Sequence, residues 1–359
     1  MSSSAVRAGV PSLYWRTALL LTSAFATVGL LSLALLLPVP YVVLRPGPAI
    51  NTLGSEHGKQ LIAVTGHATY PTSGSLDLTT VTLTGGPGTH VSLITALQAW
   101  FDASVEVVPE KALFPTGQTQ ESSRRENEQE MATSQESATV AAMRAIGITV
   151  PMKITVYSVT TGTPPSPLRP KDVLLAVAGH RLTDDDTLRT QMATVKPGAT
   201  VDVTVLRDGT EVVLHAPTRR ASDGRALFGV RVDEDFAFPF TVKIQIDDVG
   251  GPSAGMMFAL GIVDTLTPGQ LTGGRSIAGT GTIDEAGVVG PIGGIAQKMV
   301  GARRAGATWF LAPAGNCDDV RGSVPAGMRV VKVSTLKDAM TAVQDIGTGQ
   351  NLAALPSCG

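Results

Sequence analysis

The sequence predicts an α+β protein of several domains: one N-terminal transmembrane helix, a small β-rich domain in the middle and an α+β domain at the C-terminal end. Three observations lead to this prediction. An uncharged apolar run lies near the N-terminus, short strands and turns follow one another from Lys153, and a glycine-rich turn joins a strand-like run to an apolar run after residue 240. The 359 residues are enough for two or three domains of about 150 residues each.

The first element is the apolar run Thr17–Leu37, which contains 21 residues and no charge. As a helix it is about 31 Å long, which matches the hydrocarbon core of a bilayer. Arg7 and Arg16 precede it without any acidic residue, so the positive-inside bias places residues 1–16 in the cytoplasm and the rest outside. We therefore expect a single-pass protein of the cell membrane. A signal peptide is the alternative, although its apolar core is usually shorter and small residues follow it.

Composition and charge exclude several classes of partner. The formal net charge is −2 and aromatic residues are few, so no nucleic-acid surface is expected. All five histidines precede residue 216 and no Cys-x-x-Cys pair occurs, so neither a metal site nor another cofactor is expected.

Cys317 and Cys358 both fall in the external part, where a disulfide persists. One pair has no spacing pattern, so a disulfide and two free thiols both remain open.

Residues 38–150 are expected to form a stalk and an N-terminal α/β segment. Val39–Pro48 is proline-rich and extended, and Leu76–Thr84 alternates apolar with polar residues, as a half-buried strand does. A glycine-rich turn then leads into an apolar helix, Val91–Phe101. That turn lacks the lysine and the spacing of a phosphate-binding loop, and no such loop occurs elsewhere, so no ATP is expected. The charged run Glu121–Glu130 predicts the solvent-exposed start of a helix.

Residues 151–220 are expected to form the small β-rich domain. Its predicted elements are strands at Ile154–Val159, Asp172–Ala178, Thr200–Leu206 and Glu211–Leu214, with a helix near Asp186–Val195. The stretch LRPKDVLLAVAGHRLTDDDTLRTQMATVKPGATVDVTVLRDGTEVVL resembles a PDZ domain of the bacterial protease-associated kind. The resemblance implies that an extended peptide adds to a sheet edge. A spacer that binds nothing is the alternative.

One residue departs from the PDZ pattern. Lys171 stands where that pattern usually has glycine before the aspartate. If the turn requires a positive φ, lysine costs about 1 kcal/mol there.

The turn GGPSAG, Gly250–Gly255, places one hydroxyl among glycines before an apolar run. A serine at a helix start has backbone N–H groups and the helix dipole beside it, although it can also serve only as a helix cap. The turn spells the G-x-S-x-G nucleophile elbow, but an α/β-hydrolase needs a histidine later in the chain. No histidine follows Ser253, and the upstream ones lie in segments assigned to other domains: His57, His67, His90, His180 and His215.

A lysine can replace histidine as the base if it is neutral. That requires its pKa to fall by about 3 units from about 10.4, which burial among apolar groups achieves. Lys298 is the best candidate among the four lysines after residue 240, because its neighbours on the predicted helix are small or apolar: Gly294, Ile295, Gly301 and Ala302. The alternative is an ordinary surface lysine whose stem covers that face.

Two stretches, GGPSAGMMFALGIVDTL and AGTGTIDEAGVVGPIGGIAQKMVGARRAGATWFLAP, resemble the proteolytic domain of Lon proteases, here residues 225–346. The resemblance implies a Ser–Lys dyad of Ser253 and Lys298, which are 45 residues apart. It also implies that Thr280 hydrogen-bonds the lysine and orients its amine. The family therefore suggests peptide-bond hydrolysis by a serine nucleophile.

The loop before the serine is expected to stabilise the oxyanion. Backbone N–H groups of Gly250, Gly251 and Ser253 are the candidate donors. Gly250 is a departure, because many Lon enzymes carry an acidic residue at that position.

The whole layout consists of an anchor, an N-terminal segment, a PDZ-like domain, a Lon-type domain and a tail, residues 347–359. It resembles the YlbL-like family of membrane-anchored PDZ–Lon proteins of Gram-positive bacteria. The resemblance implies an ATP-independent serine endopeptidase outside the cell, whose polypeptide substrates are bound or presented by the PDZ-like domain. A non-catalytic peptide receptor and a module that cleaves only its own chain are the alternatives.

Overall fold

The computed structural model describes residues 12–56, 58–160, 164–182, 185–246 and 249–358. Some residues named above lie outside these ranges: most of residues 1–16, His57, residues 183–184 of the PDZ-like stretch and the last residue of the tail, residues 347–359.

Helix α1 spans Ser12–Leu36. Its stretch Tyr14–Leu36 is long and apolar enough to cross a membrane, and none of it is buried inside the protein. This is the helix that the uncharged run Thr17–Leu37 predicts.

Residues 38–150 form short strands, two long strands and a long helix. The elements are β1 Pro38–Val39, β2 Tyr41–Asn51, β3 Ser55–Glu56, β4 Lys59–Gln60, β5 Ile62–Thr65, β6 Ser75–Thr84, β7 Val91–Ser92, α2 Leu93–Trp100, β8 Glu106–Pro109, α3 Glu110–Leu113 and α4 Gln120–Ala145. The predicted strand and helix are present as β6 and α2. Helix α4 begins at a capping box on Thr119 and runs from the charged segment into a buried end.

Residues 152–236 form an antiparallel sheet with one helix. The elements are β9 Met152–Val159, β10 Val173–Val177, β11 His180–Arg181, α5 Asp185–Thr194, β12 Thr200–Arg207, β13 Thr210–Pro217, β14 Arg219–Arg220, β15 Ala226–Leu227 and β16 Val230–Phe236. The sheet order is β13-β12-β10-β9-β16. The sequence predicts β9, β10, β12 and β13 and a domain end at residue 220. In the structure β16 pairs with β9 and extends the sheet to Phe236.

The C-terminal part alternates strands with helices. The elements are β17 Thr241–Ile244, α6 Gly255–Leu266, β18 Ser276–Gly279, β19 Thr282–Ile283, β20 Val289–Gly290, α7 Ile295–Arg304, β21 Trp309–Pro313, α8 Cys317–Val320, β22 Arg329–Val333 and α9 Leu336–Thr348, with a 3₁₀ turn at Ala314–Asn316. Helix α6 is almost entirely buried.

One six-stranded sheet joins the two ends of the chain. Its order is β22-β21-β18-β6-β2-β8, with β6 parallel to β18 and antiparallel to β2. The segment expected to be a stalk, Val39–Pro48, therefore contributes a strand inside this sheet, and Val42 and Val43 are fully buried. Strands from both sides of the boundary predicted at residue 150 therefore belong to one sheet. The sequence does not reveal this, because pairing between strands about 200 residues apart leaves no local pattern.

The β-rich domain is inserted into this larger α+β unit. Helix α4 precedes the insertion and packs on α6, while β17 follows it and pairs with β5. The two ends of the insertion meet, since the Ala237 N–H donates to the Pro151 carbonyl at 2.8 Å.

The turn at Lys171 has the conformation that sequence analysis suspected. Its φ is +76°, in the left-handed region that favours glycine. The neighbouring Asp172 is buried and accepts two hydrogen bonds from the Arg207 guanidinium, at 2.8 and 2.7 Å. The ion pair therefore holds a turn whose backbone is unfavourable for lysine.

The two cysteines are paired. Cys317, at the start of α8, is bonded to Cys358 in the C-terminal tail. The tail also contacts the sheet, because the Lys332 N–H donates to the Pro356 carbonyl at 2.9 Å. Of the two alternatives that sequence analysis left open, the structure has the disulfide.

Candidate active site

Ser253 lies on the turn between β17 and α6. Gly251 has a φ of +81°, which glycine adopts without the penalty that a β-carbon brings. The turn ends as α6 begins at Gly255, two residues after the serine. Ser253 is half-buried. Because it lies just before the N-terminus of a 12-residue helix, it lies at the positive end of the helix dipole.

Lys298 is brought to this turn by α7. Two glycines allow α7 to approach the sheet: a β-carbon on Gly294 would lie 2.9 Å from the Val81 side chain, and one on Gly301 would lie 2.6 Å from the Gly47 carbonyl. The lysine side chain is enclosed between α7 and the sheet and is only 2% exposed. The small face that distinguished this lysine in the sequence is therefore the packing surface of the helix.

The lysine amine lies next to the serine hydroxyl. The distance from Lys298 Nζ to Ser253 Oγ is 2.6 Å. Burial lowers the pKa of Lys298 from 10.5 to about 8, because an ammonium group loses hydration in the interior. About a tenth of this lysine is therefore neutral at pH 7 and about half at pH 8, whereas an unperturbed lysine amine is almost entirely charged at both. A neutral amine is the form that a general base requires.

Thr280 completes a small hydrogen-bonded triangle. Its Oγ1 donates to the Ser253 carbonyl at 3.0 Å and accepts from Lys298 Nζ at 3.1 Å. The residue is fully buried. With one amine hydrogen directed to Thr280, the nitrogen lone pair can point to the Ser253 hydroxyl.

Helix α4 supports the nucleophile turn from the other side. The Gly251 N–H donates to the Asn127 carbonyl at 3.2 Å, and Ser134 Oγ donates to the Pro252 carbonyl at 3.0 Å. The sequence patterns did not indicate this helix as part of the site. The available signal was the run of small residues in the buried half of α4, which permits close helix packing.

Gly250 shows why the loop carries no acidic side chain. A β-carbon there would lie 2.9 Å from the Asn127 β-carbon, so helix α4 occupies that space. Gly250, the residue that departs from the Lon pattern, thus lies against α4. This helix supports the turn through the Asn127 carbonyl and Ser134 Oγ.

The three proposed oxyanion donors differ in availability. The Gly251 N–H is occupied by the Asn127 carbonyl. Within the part of the chain that the structure describes, the N–H groups of Gly250 and Ser253 form no hydrogen bond. Ser253 and Gly250 are therefore better placed than Gly251 to stabilise an oxyanion.

A groove passes the serine. Its walls are the distal half of β6, the turn and the lysine, and the lining residues include Pro48, Leu78, Thr80, Leu83, Val249, Ser253 and Lys298. The groove continues beside α4, past Leu83 and Gly250, to Phe114. In the described ranges no histidine lines it, and no group of three or more His, Cys, Asp or Glu side chains there is arranged to hold a metal ion.

Two segments of the chain match known protein families. Residues 246–345 match the C-terminal proteolytic domain of Lon proteases (S16), and residues 121–217 match the PDZ domain. Lon protease 1 of Bacillus subtilis is 33% identical over 30% of this chain. The Lon protease of Campylobacter concisus and Lon protease 1 of Sorangium cellulosum are 37% and 40% identical, each over 25% of this chain. The chain spans only 15%, 11% and 11% of these relatives' own lengths.

A solved structure provides a further comparison. The crystal structure of the PDZ domain of the SdrC-like protein from Listeria monocytogenes matches 22% of this chain and 85% of that chain, with 15% identity and a TM-score of 0.20.

The family match over residues 246–345 gives the class of the C-terminal unit: it is a Lon-type serine peptidase domain. The chain combines this unit with a PDZ domain, and so fits the PDZ–Lon proteases.

Proposed function

We propose that the chain is an ATP-independent serine endopeptidase, anchored in the membrane by α1, that cleaves polypeptides on the extracytoplasmic side. The observation that carries the proposal is the 2.6 Å distance between Lys298 Nζ and Ser253 Oγ in a buried site. ATP independence rests on the sequence, in which no phosphate-binding loop occurs.

The proposed reaction proceeds through an acyl-enzyme. The neutral Lys298 amine takes the proton of the Ser253 hydroxyl while Oγ forms a bond to the carbonyl carbon of the substrate. The resulting oxyanion accepts hydrogen bonds from the Ser253 and Gly250 N–H groups. The Lys298 ammonium then donates its proton to the leaving amine as the C–N bond breaks. Water attacks the ester with Lys298 again as base, and the serine is restored.

The direct test is labelling and turnover. Purified full-length protein should react with a fluorophosphonate probe and cleave members of a peptide library, whereas Ser253→Ala should do neither. Ser357→Ala changes an exposed serine of the tail and should leave both activities intact. Absence of labelling and cleavage in the wild type would favour a peptide receptor. A shortened intact mass without turnover would favour a self-cleaving module.

The proposed topology is testable in cells. Without protease, the full-length chain should be found in the membrane fraction. When protease is added to intact protoplasts, it should digest the C-terminal domains. Release of a species that begins near Pro40 would show that residues 17–37 are a signal peptide. Such a cut would fall beside β1, which pairs with β7.

The PDZ domain is proposed to bind substrate rather than take part in chemistry. A groove between α5 and the segment Ala226–Val232 lies beside β16, a strand at the edge of the PDZ sheet, and edge strands can accept a peptide strand. Because Pro151 and Ala237 are adjacent, residues 152–236 can be replaced by a short glycine–serine linker. The shortened protein should cleave short peptides normally and long polypeptides poorly. Loss of both activities in a folded protein would make the domain part of the active-site scaffold.

A further inference from the structure

Helix α2 carries an exposed apolar face that the proposed peptidase does not use. Ile94 and Leu97 are 36% and 37% exposed, and Trp100 and Phe101 are 68% and 90% exposed. Residues 94, 97 and 101 lie on one side of the helix, because they are three and four positions apart. The segment Leu93–Phe101 contains no charged residue.

The opposite side of α2 is packed on the protein. Ala96 and Ala99 are buried against Val43 and Val91, at the edge of the six-stranded sheet. Ser92 caps the helix by accepting a hydrogen bond from the Thr95 N–H at 3.3 Å. The helix is therefore a fixed part of the fold, and its apolar outer face is not a frayed end.

The position of α2 relative to α1 indicates what covers this face. The Leu93 N–H donates to the Leu37 carbonyl at 2.9 Å, and β1 pairs with β7 directly before α2. The two helices are in contact. Helix α2 therefore begins at the point where the proposed transmembrane helix ends.

Bilayer dimensions place that point among lipid headgroups. The apolar stretch Tyr14–Leu36 has 23 residues, and at 1.5 Å per residue it is about 35 Å long, against about 30 Å for the hydrocarbon core. The last turn of α1 then extends into the headgroup region, which is about 5–7 Å thick on each side. Tryptophan is enriched at this depth, because its ring combines an apolar body with a polar N–H.

We propose that the exposed face of α2 docks on the outer surface of the bilayer, with Trp100 and Phe101 inserted among the lipid headgroups. This inference rests on the membrane anchor of the proposed function. A docked α2 forms a second attachment beside α1 and holds the sheet, and with it the active-site groove, in one orientation to the membrane. The surface suits a lipid interface more than a second chain, because α1 brings it to the bilayer in every copy.

The three tryptophans of the chain allow a direct test in full-length protein in phosphatidylcholine vesicles. Three variants each keep one tryptophan and replace the other two by phenylalanine: Trp15 reports on α1, Trp100 on α2 and Trp309 on the sheet. Fluorescence is measured with lipids that carry a spin label at the headgroup or deep in the acyl chain. Circular dichroism and thermal unfolding verify that each variant is folded.

The expected result is that Trp100 loses at least half of its fluorescence to headgroup labels and less to deep labels. Trp309 serves as the matched control, since it lies under the Arg329 guanidinium on β21, and should not be quenched. Quenching of Trp15 without quenching of Trp100 would overturn the docking proposal and leave the anchor intact. Lack of quenching at both would overturn the anchor and the docking together. Protection of Trp100 from both lipid labels and dissolved acrylamide would identify a protein–protein interface and overturn the proposal.

Discussion

Lys298 Nζ lies 2.6 Å from Ser253 Oγ, although the two residues are 45 positions apart in the chain. Ser253 lies on the turn before α6, and Lys298 lies on α7. The contact exists because α6 and α7 both pack on the sheet that contains β6 and β18. Thr280, directly after β18, binds the serine carbonyl and the lysine amine. The geometry leads to predictions that separate the roles of these three residues.

The first prediction concerns the lysine as base. Lys298→Arg keeps a positive charge that cannot be lost at working pH, so it should be as inactive as Ser253→Ala while remaining folded. The measurement is kcat/KM on a short peptide. Retention of more than about a tenth of wild-type activity, a loss of under about 1.4 kcal/mol, would exclude the dyad. The base would then have to be sought among the upstream histidines, of which His215 is the first candidate. His215 is paired with Asp202 on the surface of the PDZ domain.

The second prediction concerns the cost of burying the amine. The pKa of Lys298 falls from 10.5 to about 8, so folding is opposed by about 3 kcal/mol below pH 8, at about 1.36 kcal/mol per unit. Lys298→Met fills the same space without an amine. It should be inactive, and its free energy of unfolding at pH 7 should be up to about 3 kcal/mol higher. Urea unfolding of both proteins at pH 7 and pH 10 provides the measurement.

The sign of the pH effect gives an internal control for that experiment. Between about pH 8 and 10.5 the unfolded lysine binds more protons than the folded one, so wild-type stability should rise with pH in this window relative to Lys298→Met. A constant difference between the two proteins across the window would mean that the amine is not desolvated.

The third prediction is the pH dependence of activity. Only the neutral amine can accept the Ser253 proton, so kcat/KM should increase about tenfold per pH unit below pH 8 and level off above it. The profile is measured on an uncharged peptide to avoid titration of the substrate. A profile that is flat from pH 6 to 9 would contradict a lysine base.

The fourth prediction separates orientation from proton transfer. Thr280→Val removes the hydroxyl that accepts from Lys298 and donates to the Ser253 carbonyl. Because the base and the nucleophile remain, kcat should fall by about tenfold or more while activity stays measurable, as the loss of one or two hydrogen bonds of about 1 kcal/mol each implies. Thr280→Ser retains the hydroxyl and should restore most of the activity. If Thr280→Val were as inactive as Lys298→Arg, the threonine would do more than orient the amine.

The fifth prediction tests the support from helix α4. Ser134→Ala removes the hydrogen bond to the Pro252 carbonyl and should lower kcat about fivefold with little change in KM, for a hydrogen bond of about 1 kcal/mol. Thr133→Ala changes an exposed neighbour on the same helix and serves as the control. Equal effects of the two substitutions would show that Ser134 does not position the turn.

The features of the fold and the site that can be predicted from the sequence are those that depend on residues close together in the chain. Local patterns were sufficient for α1, for most PDZ strands and for the glycine turn, because periodicity and turn chemistry act over a few residues. Ser253, Lys298 and Thr280 were identified from motif resemblance and from the small face of α7. Their proximity is a property of the tertiary structure.

The membership of residues 38–150 in the main sheet was decided only by the tertiary structure. Strand β2 pairs with β6, and β6 with β18, which lies about 200 residues away, and no local pattern encodes such a partner. The same holds for α4, whose Asn127 and Ser134 reach the nucleophile turn across a gap of more than 100 residues. The sequence by itself determined which residue types are available for the proposed chemistry: a serine on a glycine-rich turn, a lysine on a small helix face and a threonine. The packing of distant segments decided which groups meet, how deeply the amine is buried and therefore where its pKa lies.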